Sequence, residues 1–381
     1  MISHKKFRLR GFPFIIRVVL LAMGLLAFLA QPVAAQALRA LTIASGLDHP
    51  WAVAFLPNGR FLVTERPGRM RVIEADGKVG APLDGVPEVG SGGQGGLLDL
   101  VLDSRFASNR MLYFCFAEPA IGGNSTALAK ARLSADASRL EDVKVIFSQK
   151  PKVESSLHFG CRIVETREGF LFLTLGERFS RMEQAQRLDN HLGKIVRVTK
   201  DGAPAPGNPF IGRADALPEI WSYGHRNSQG AALAPDGTLW MHEHGPQGGD
   251  EVNVIRPGRN YGWPVITYGE NYGGGPIGEG ITAKDGMEQP LHYWVPSIAP
   301  SGMTFLTSDR YGPTMKGNLF GGSLKFGYLV RLELSRGQVV RESKALQVGE
   351  RVRDVRQGPD GLLYILTDES RGRLVRVEPA S

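Results

Sequence analysis

A short phrase recurs through this chain, and it constrains the fold more than any other feature of the sequence. Apolar residues are followed by a small polar turn ending in Gly, then by an alternating apolar strand and a polar exit. Asn-Gly or Asp-Gly supplies the positive φ of a tight turn, and the period-2 alternation around it predicts a β-hairpin. The clear copies span residues 53–65, 163–174, 231–242 and 355–367.

The copies are parts of larger units. A further strand follows three of them, at residues 70–74, 193–199 and 373–377, and two degenerate units fill the gaps at 96–118 and 301–334. A hairpin plus an outer strand, repeated, is typical of propeller blades, and six units give about 57 residues each, which leaves room for long loops. We therefore predict an all-β, six-bladed β-propeller with four-stranded antiparallel blades, forming a single domain over residues 38–381. Seven blades is the alternative.

Residues 1–37 have the pattern of an export signal. An apolar run of about 13 residues, 18–30, precedes an A-x-A cleavage site at Ala35-Gln-Ala37 and follows a basic lead: Lys5, Lys6, Arg8, Arg10 and Arg17. A membrane anchor is the alternative, but the run is shorter than the ~20 residues that a span needs. We expect a cleaved signal, no membrane span after its removal, and a periplasmic or secreted protein.

The basic charge of the chain belongs largely to this leader. The chain has 45 Lys and Arg against 38 Asp and Glu, a net charge of +7. Five of the cations and none of the acids precede residue 38, so 40 cations against 38 acids remain, close to +2. The sequence pI of about 9.4 therefore gives no reason to expect nucleic-acid binding.

Two cysteines, Cys115 and Cys161, both lie in strand-like runs. Export permits a disulfide, but a bridge requires a Cα separation that sequence does not supply. A disulfide and two buried thiols both remain open.

The densest chemistry lies in residues 222–230 and 243–251. A cation, a carboxamide, Gly-Pro backbone and carboxylates together can hold an organic anion and a hard cation such as Ca²⁺. Asp250 and Glu251, with the segment 256–264, predict a loop held by an ion; an ordinary acidic surface turn is the alternative. The sequence has no EF-hand pattern, zinc-ligand spacing, Gly-rich dinucleotide loop or G-x-S-x-G motif.

Other candidate residues are scattered along the chain. His158 can act as a general base near neutral pH, although a lone His at a strand start is more often structural. Arg351 and Arg353 fall on one face of a strand and can bind carboxylates, or they lie on a solvated edge. Lys325, alone in an apolar run, should face a channel or a partner, because burying it unpaired is costly. Gln94 lies in the glycine-rich segment 92–96, which we interpret as a tight loop at the channel.

These segments together resemble a known family. His-Pro-Trp-Ala-Val, Gly-Gln-Gly-Gly-Leu-Leu, His-Phe-Gly-Cys-Arg-Ile, Leu-Gly-Lys-Ile-Val-Arg, Gly-His-Arg-Asn-Ser-Gln-Gly, Glu-His-Gly-Pro, Asn-Tyr-Gly-Trp-Pro, Arg-Val-Arg-Asp-Val and Gly-Pro-Asp-Gly occur in this order. The chain is similar to the pyrroloquinoline quinone (PQQ)-dependent aldose sugar dehydrogenases, relatives of the soluble quinoprotein glucose dehydrogenase. The likeness covers nearly all of residues 38–381.

The resemblance implies a periplasmic quinoprotein that oxidises the anomeric carbon of aldoses to lactones. It implies that His158 takes the proton of the anomeric hydroxyl while hydride passes to PQQ over the channel. It implies PQQ contacts at Arg226, Asn227, Lys325, Arg351 and Arg353, a catalytic Ca²⁺ on the carbonyls of Gly245 and Pro246, a structural Ca²⁺ on Glu251 and the Tyr261 backbone, and a substrate contact at Gln94. It also implies a monomer that uses an electron acceptor the sequence does not identify.

Three positions depart from the family pattern. Leu157 stands where the glucose enzymes carry a carboxylate beside the base, so we expect His158 to lack that neighbour. Cys161 occupies a position where Gly or Ser is expected, and His244 replaces a Gln. The loops also look shorter than in the glucose enzymes, which favours a broad range of aldoses over glucose alone.

Two other functions are compatible with a propeller. A calcium-dependent lactonase would need Ca²⁺ but no quinone, and it has no reason to gather Arg226, Lys325, Arg351 and Arg353 around one channel. A non-catalytic propeller that binds sugars or protein partners would not depend on His158.

Overall fold

The structure, a computed structural model, describes Met1 and residues 37–380. Nearly all of the predicted signal therefore lies outside the described residues. No helix among the described residues is long and apolar enough to cross a membrane. Residues 37–380 contain six four-stranded antiparallel sheets and very little helix, the longest pieces being Phe106–Asn109 and the 3₁₀ segment Met182–Gln186.

The first three blades follow one another along the chain, each with its four strands in sequence order. They comprise β2 Pro50–Phe55, β3 Phe61–Glu65, β4 Arg69–Ile73 and β5 Val79–Pro82; β6 Leu97–Leu102, β7 Met111–Ala120, β8 Gly123–Leu133 and β9 Leu140–Ser148; and β10 Gly160–Glu165, β11 Leu171–Leu175, β12 Lys194–Val198 and β13 Ile220–Tyr223.

The fourth and fifth blades also keep their strands in sequence order, whereas the sixth takes its outer strand from the N-terminal segment Leu38–Leu47, labelled β1. These three blades comprise β14 Ser228–Leu233, β15 Leu239–Glu243, β16 Asp250–Ile255 and β17 His292–Trp294; β18 Pro300–Phe305, β19 Leu319–Ser323, β20 Tyr328–Ser335 and β21 Gln338–Gln347; and β22 Val352–Gln357, β23 Leu363–Thr367, β24 Gly372–Pro379 and β1 Leu38–Leu47.

The blades close into a ring. The first strand of each blade contacts the first strand of the next, and β22 contacts β2. β1 pairs with β24 from Leu38 opposite Pro379 to Leu47 opposite Gly372, so the two ends of the domain are joined by a strand pair. The prediction of six four-stranded blades is confirmed, and the seven-bladed alternative is wrong.

The hairpin prediction is also confirmed. The Gly that ends the turn in each clear copy of the repeat has a positive φ, between 74° and 90°, at Gly59, Gly169, Gly237 and Gly361. The two degenerate units fall in the second and fifth blades, as their positions in the sequence predict. Apolar faces of neighbouring blades pack against each other, with Leu112, Phe114 and Leu173 buried in one such cluster.

Cys115 and Cys161 form a disulfide between the second and third blades, with Cα atoms 5.9 Å apart. The alternative of two free thiols is therefore wrong. Cys161 has a φ of 76°, in the left-handed region that Gly adopts most readily, which agrees with the small residue expected at this position.

Charged side chains fill the middle of the ring, where the inner strands meet. Arg162, on β10, contacts Asp354 at 2.8 Å and Asp99 at 3.4 Å. Arg356 contacts the same two carboxylates, at 3.0 and 2.5 Å. Arg162 is on the inner strand of the third blade, Asp99 on that of the second, and Asp354 and Arg356 on that of the sixth. The ion pairs therefore connect three blades across the axis, and the pairing offsets the cost of burying each charge alone.

Candidate active site

A cavity of about 260 Å³ lies at the end of the ring where the inner strands begin. Every blade contributes to it from the first residues of its inner strand or, at Ala299, from the residue just before that strand: Trp51, Leu98, Gly160, Gln229, Ala299 and Arg353. A second cavity of about 440 Å³ adjoins it through the shared residues His244 and Ala299. The two cavities together lie over the axis and extend toward the loop that carries Gly245 and Pro246.

Four of the predicted residues, Gln94, Asn227, Arg351 and Arg353, line the smaller cavity. Gln94 does so from the glycine-rich loop, and its Oε1 accepts a 2.8 Å hydrogen bond from the backbone N–H of His158. Arg351 and Arg353 also line it, and both approach Asp368. The prediction that both lie on one strand is only partly right, because Arg351 precedes β22 and Arg353 is on it, but both guanidinium groups approach the same carboxylate. Asn227 lines the cavity as well and accepts a hydrogen bond from the Gly160 N–H at 3.1 Å.

Arg351 and Arg353 have different environments. The Arg353 side chain is 8% exposed, contacts Asp368 at 2.5 Å and donates to Gln229 at 3.0 Å. The Arg351 side chain is 49% exposed and lies 3.7 Å from Asp368. Although burial raises the pKa of Asp368, Arg353 and Arg66 together hold that pKa below its ordinary value. The carboxylate thus stays ionised and compensates only part of the positive charge of the cavity.

Lys325 lies in the turn between β19 and β20 of the fifth blade and is exposed. It does face a cavity, because it lines the larger one, and its Nζ lies 5.1 Å from the centre of the Phe326 ring. Its charge is therefore available to a ligand that enters between the Gly245 loop and this turn.

His158 precedes β10 and is 4% exposed. Its Nδ1 lies 2.9 Å from Oε1 of Glu177, which follows β11. Leu157 supplies no carboxylate, as the sequence indicates, but Glu177 approaches the ring from 19 residues away and provides one that the sequence analysis did not foresee. Because the carboxylate accepts from Nδ1–H, the unprotonated nitrogen is Nε2. Burial lowers the pKa of His158, and Glu177 opposes that shift.

A second pair of this kind helps to define the role of the first. His225 precedes β14, and its Nδ1 lies 3.1 Å from Glu243, which ends β15. Its Nε2 is also engaged, by Ser222 Oγ at 2.8 Å, and its ring stacks on Tyr261 with centres 4.8 Å apart. With both nitrogens engaged, His225 is structural. His158 has one engaged nitrogen, so it is the member of the two pairs that can take a proton.

The residues beside Glu177 hold the segment that carries His158. Arg178 donates to the carbonyl of Leu157 at 3.0 Å and to Asn124 Oδ1 at 2.5 Å, and its guanidinium lies 3.9 Å from the centre of the Phe159 ring. Burial lowers the pKa of Arg178 to about 10. The base is thus fixed from two sides, at its ring by Glu177 and at its backbone by Arg178.

Arg226 lies beside the loop of residues 244–249. It donates to the carbonyls of Gly245 at 2.7 Å and His244 at 3.1 Å, and its Nε is buried without a partner among the described residues. Pro246 lines the larger cavity. His244 contacts the carbonyl of Pro300 at 2.6 Å, and burial lowers the pKa of His244 to about 3, so it is neutral here.

The acidic pair Asp250 and Glu251 begins strand β16, so the expectation that these two residues lie in a loop is wrong, whereas the segment 256–264 that follows is a loop as predicted. Asp250 accepts hydrogen bonds from the backbone of Gly245 at 2.9 Å, Ile298 at 2.8 Å and Ala299 at 3.0 Å. Its carboxylate therefore organises the loops around the larger cavity through their N–H groups.

Glu251 has a different environment. Burial, together with the nearby Glu243 carboxylate, raises the pKa of Glu251 to about 8. Both carboxylates line a small cavity of about 10 Å³ that Tyr261 and Thr267 also border. This volume is about that of one water molecule or one ion. No group of three or more His, Cys, Asp or Glu side chains with metal-binding proximity occurs in the part of the chain that the structure describes.

Sequence reasoning missed several residues of the site, among them Glu177, Asp368 and Arg66. Glu177 and Asp368 could have been found from the repeat, because an acidic residue ends the second strand of each clear copy or follows it within two residues: Glu65, Glu177, Glu243 and Asp368. Arg66 lines the smaller cavity directly after one of these acids.

Comparisons with known proteins identify the family of this chain. The model of the Glucose / Sorbosone dehydrogenase family matches residues 47–376. Aldose sugar dehydrogenase YliI of Escherichia coli (strain K12) is 46% identical over 340 residues, which are 87% of this chain and 91% of that protein.

Solved structures show the same relationship. The apo-form of the soluble aldose sugar dehydrogenase from Escherichia coli is 43% identical, with a TM-score of 0.86 over 90% of this chain and 100% of that chain. The PQQ-bound form of aldose sugar dehydrogenase from Streptomyces coelicolor is 29% identical, with a TM-score of 0.73 over 91% and 100% of the two chains. This protein therefore belongs to the glucose/sorbosone dehydrogenase family.

Proposed function

We propose that this protein is an exported, PQQ-dependent aldose sugar dehydrogenase that oxidises the anomeric carbon of aldoses to lactones. The observation that carries the proposal is that cationic side chains line two adjoining cavities, and that a buried His paired with a carboxylate lies next to these cavities. The family membership and the PQQ-bound relative support it. Residues 1–37 are proposed to be a cleaved signal that directs the protein to the periplasm or the medium, where it acts as a monomer.

The cations fit PQQ, which carries three carboxylates. Lys325 and Arg351 are exposed to the cavities, and Arg353 has a buried Nε without a partner among the described residues. Arg226 has a second such Nε, and Asn227 lies beside it at the smaller cavity. Bound there, PQQ would supply the hydride acceptor of the reaction. Charge-assisted contacts from separate cations suit a ligand of this kind.

His158 is proposed to act as the general base. Glu177 holds its Nδ1 proton and so presents Nε2 as the acceptor for the proton of the anomeric hydroxyl. Gln94, which anchors the His158 N–H and lines the cavity, is proposed to contact the sugar.

Calcium fits two places by the chemistry of their donors. Gly245 and Pro246 border the larger cavity, and backbone carbonyls are hard oxygen donors that suit Ca²⁺, although the Gly245 carbonyl already accepts a hydrogen bond from Arg226 at 2.7 Å. The second place is the small cavity beside Glu251 and Tyr261, where two neighbouring carboxylates raise the pKa of one of them and would be compensated by a cation. We propose a catalytic ion at the first place and a structural ion at the second.

The structural ion can be tested through folding stability. A ligand that binds only the folded state stabilises it by about 2.7 kcal/mol at 100 times its dissociation constant. Calcium should therefore raise the Tm of the chelator-treated wild type, and Glu251→Gln should remove most of that rise. Glu279→Gln, an exposed acid, should keep it. Equal calcium shifts in wild type and Glu251→Gln, measured by calorimetry, would exclude Glu251 as a ligand.

Replacing Glu177 by Gln tests the orientation of the base. We expect about a tenfold loss of kcat, comparable to losing a partner that orients a reactive imidazole. A base acts when unprotonated, so activity rises as pH passes its pKa. Because Glu177 raises the pKa of His158, its neutralisation should move this acid limb of the pH–kcat/KM profile to lower pH.

The matched control is Glu183→Gln, the same change at an exposed acid in the same connection between β11 and β12. It should leave both kcat and the pH profile unchanged. An acid limb that stays in place in Glu177→Gln would show that the pair does not set the protonation of the base.

Dye-linked oxidation of aldoses tests the function as a whole, with protein stripped of metal and then given PQQ, Ca²⁺, both or neither. We expect turnover with both additions and production of the lactone. Lactone hydrolysis that needs Ca²⁺ alone would replace the proposal by a lactonase. Sugar binding without turnover under any addition would indicate a binding propeller.

A further inference from the structure

Two partly exposed aromatic side chains border the site without any role in the account above. Phe179 follows Glu177 and Arg178, and its ring meets the His158 imidazole edge to face, with centres 5.3 Å apart and planes at 82°. Tyr272 also lies near Phe179, with ring centres 6.5 Å apart. They are 42% and 63% exposed, and both are large apolar surfaces that water solvates poorly.

The backbone holds Phe179 in an unusual conformation. Arg178 and Phe179 are consecutive non-Gly residues with φ values of 70° and 68°. The left-handed region is unfavourable for such residues, and strained conformations of this kind cluster at functional sites. Three successive side chains here reach different partners: Glu177 the imidazole, Arg178 the Leu157 carbonyl, and Phe179 the His158 ring.

Tyr272 joins the same surface to the cations. Its hydroxyl accepts a 3.4 Å hydrogen bond from Arg226 Nη2, and the guanidinium carbon lies 5.9 Å from its ring centre. His158, Phe179, Tyr272 and Arg226 therefore form a continuous chain of contacts. The two rings span the distance between the proposed base and the proposed cofactor contact, which is where an aldose must lie.

We propose that Phe179 and Tyr272 form an aromatic platform that binds the apolar C–H face of the sugar and so positions its anomeric hydroxyl at His158. This inference rests on the proposed function and deepens it. Pyranose rings present C–H groups on one face, and the electron-rich face of an aromatic ring suits them. Because the platform contacts the ring rather than individual hydroxyls, it favours aldopyranoses as a class over any one of them.

The test separates the Phe179 ring from the Phe179 backbone. Phe179→Leu keeps the strained φ but removes the ring, Phe179→Gly removes both ring and strain, and Phe179→Tyr keeps the ring. We expect KM for aldopyranoses to rise roughly tenfold in the Leu and Gly variants, which is the effect of losing one aromatic contact. In the Tyr variant KM should stay near the wild-type value. In all three, kcat should stay within about threefold, and the PQQ titration midpoint should not move.

A binding measurement removes the dependence on turnover. Calorimetric titration of the sugar into His158→Asn, and into His158→Asn combined with Phe179→Leu, should show the same roughly tenfold difference in Kd. Tyr272→Leu should weaken binding as well, and Tyr272→Phe should not.

The outcomes distinguish the platform from the proposed function. A wild type that oxidises aldoses, with KM and Kd unchanged in Phe179→Leu and Phe179→Gly, would overturn the platform alone. A loss confined to kcat would also overturn it, since that would be an effect on the base. A wild type without PQQ-dependent aldose oxidation would overturn both.

Discussion

His158→Asn is expected to lower kcat by a factor of about 10² to 10⁴, the range that a positioned general base contributes. The Asn amide can still donate to Glu177 in place of Nδ1–H, so the fold around the buried carboxylate should survive. It has no basic atom at the position of Nε2, so the anomeric hydroxyl would lose its proton acceptor. Affinity for PQQ should remain within about twofold of wild type, because the contacts proposed for the cofactor are elsewhere.

The control for this substitution is another His–Glu pair outside the site. His292, on β17, contacts Glu342 at 3.0 Å, and His292→Asn makes the same chemical change there. It should leave kcat at the wild-type value. Steady-state kinetics at saturating PQQ and sugar measure both variants, and a kcat for His158→Asn within threefold of wild type would remove His158 from the role of base.

Lys325→Ala combined with Arg351→Ala should raise the PQQ concentration at the titration midpoint by a factor of about 10² to 10⁴. Each lost charge-assisted contact is worth about 1.5–3 kcal/mol, and both side chains are exposed to the cavities in the protein without ligand. Their removal should therefore weaken binding without unfolding the chain. The absorbance change on adding PQQ to the protein gives the midpoint directly.

Arg353 is less suitable for this experiment. Its guanidinium contacts Asp368 at 2.5 Å, and both side chains are buried, so Arg353→Ala would leave a buried carboxylate without its main partner. A change in PQQ binding would then mix with a change in folding.

The control for the loss of two charges is Lys316→Ala with Arg341→Ala. Both side chains are exposed, at 49% and 69%, and lie outside the two cavities. This variant should keep the wild-type midpoint. If it shifts the midpoint as much as Lys325→Ala/Arg351→Ala does, the effect is one of net charge and the two proposed contacts are wrong.

The candidate site was only partly predictable. Arg351, Arg353, Asn227 and Gln94 were singled out from motifs, and the structure brings them to one cavity. The partner of His158 was not, because Glu177 lies 19 residues away and reaches the ring only through the hairpin of β10 and β11. Phe179 gave no signal either, since a positive φ at a non-Gly residue cannot be inferred from its identity.

By itself the sequence determined the blade hairpins and their number. Turn geometry and strand alternation depend on neighbours a few residues apart, as in the copy around Gly237, so they can be read locally. Only the tertiary structure decided the contacts that depend on ring closure. The pairing of β1 with β24, the Cys115–Cys161 disulfide and the convergence of six strand ends on one cavity join residues far apart in the chain. Such contacts form because the blades must bury their apolar faces against each other, and that requirement fixes distances which no local pattern encodes.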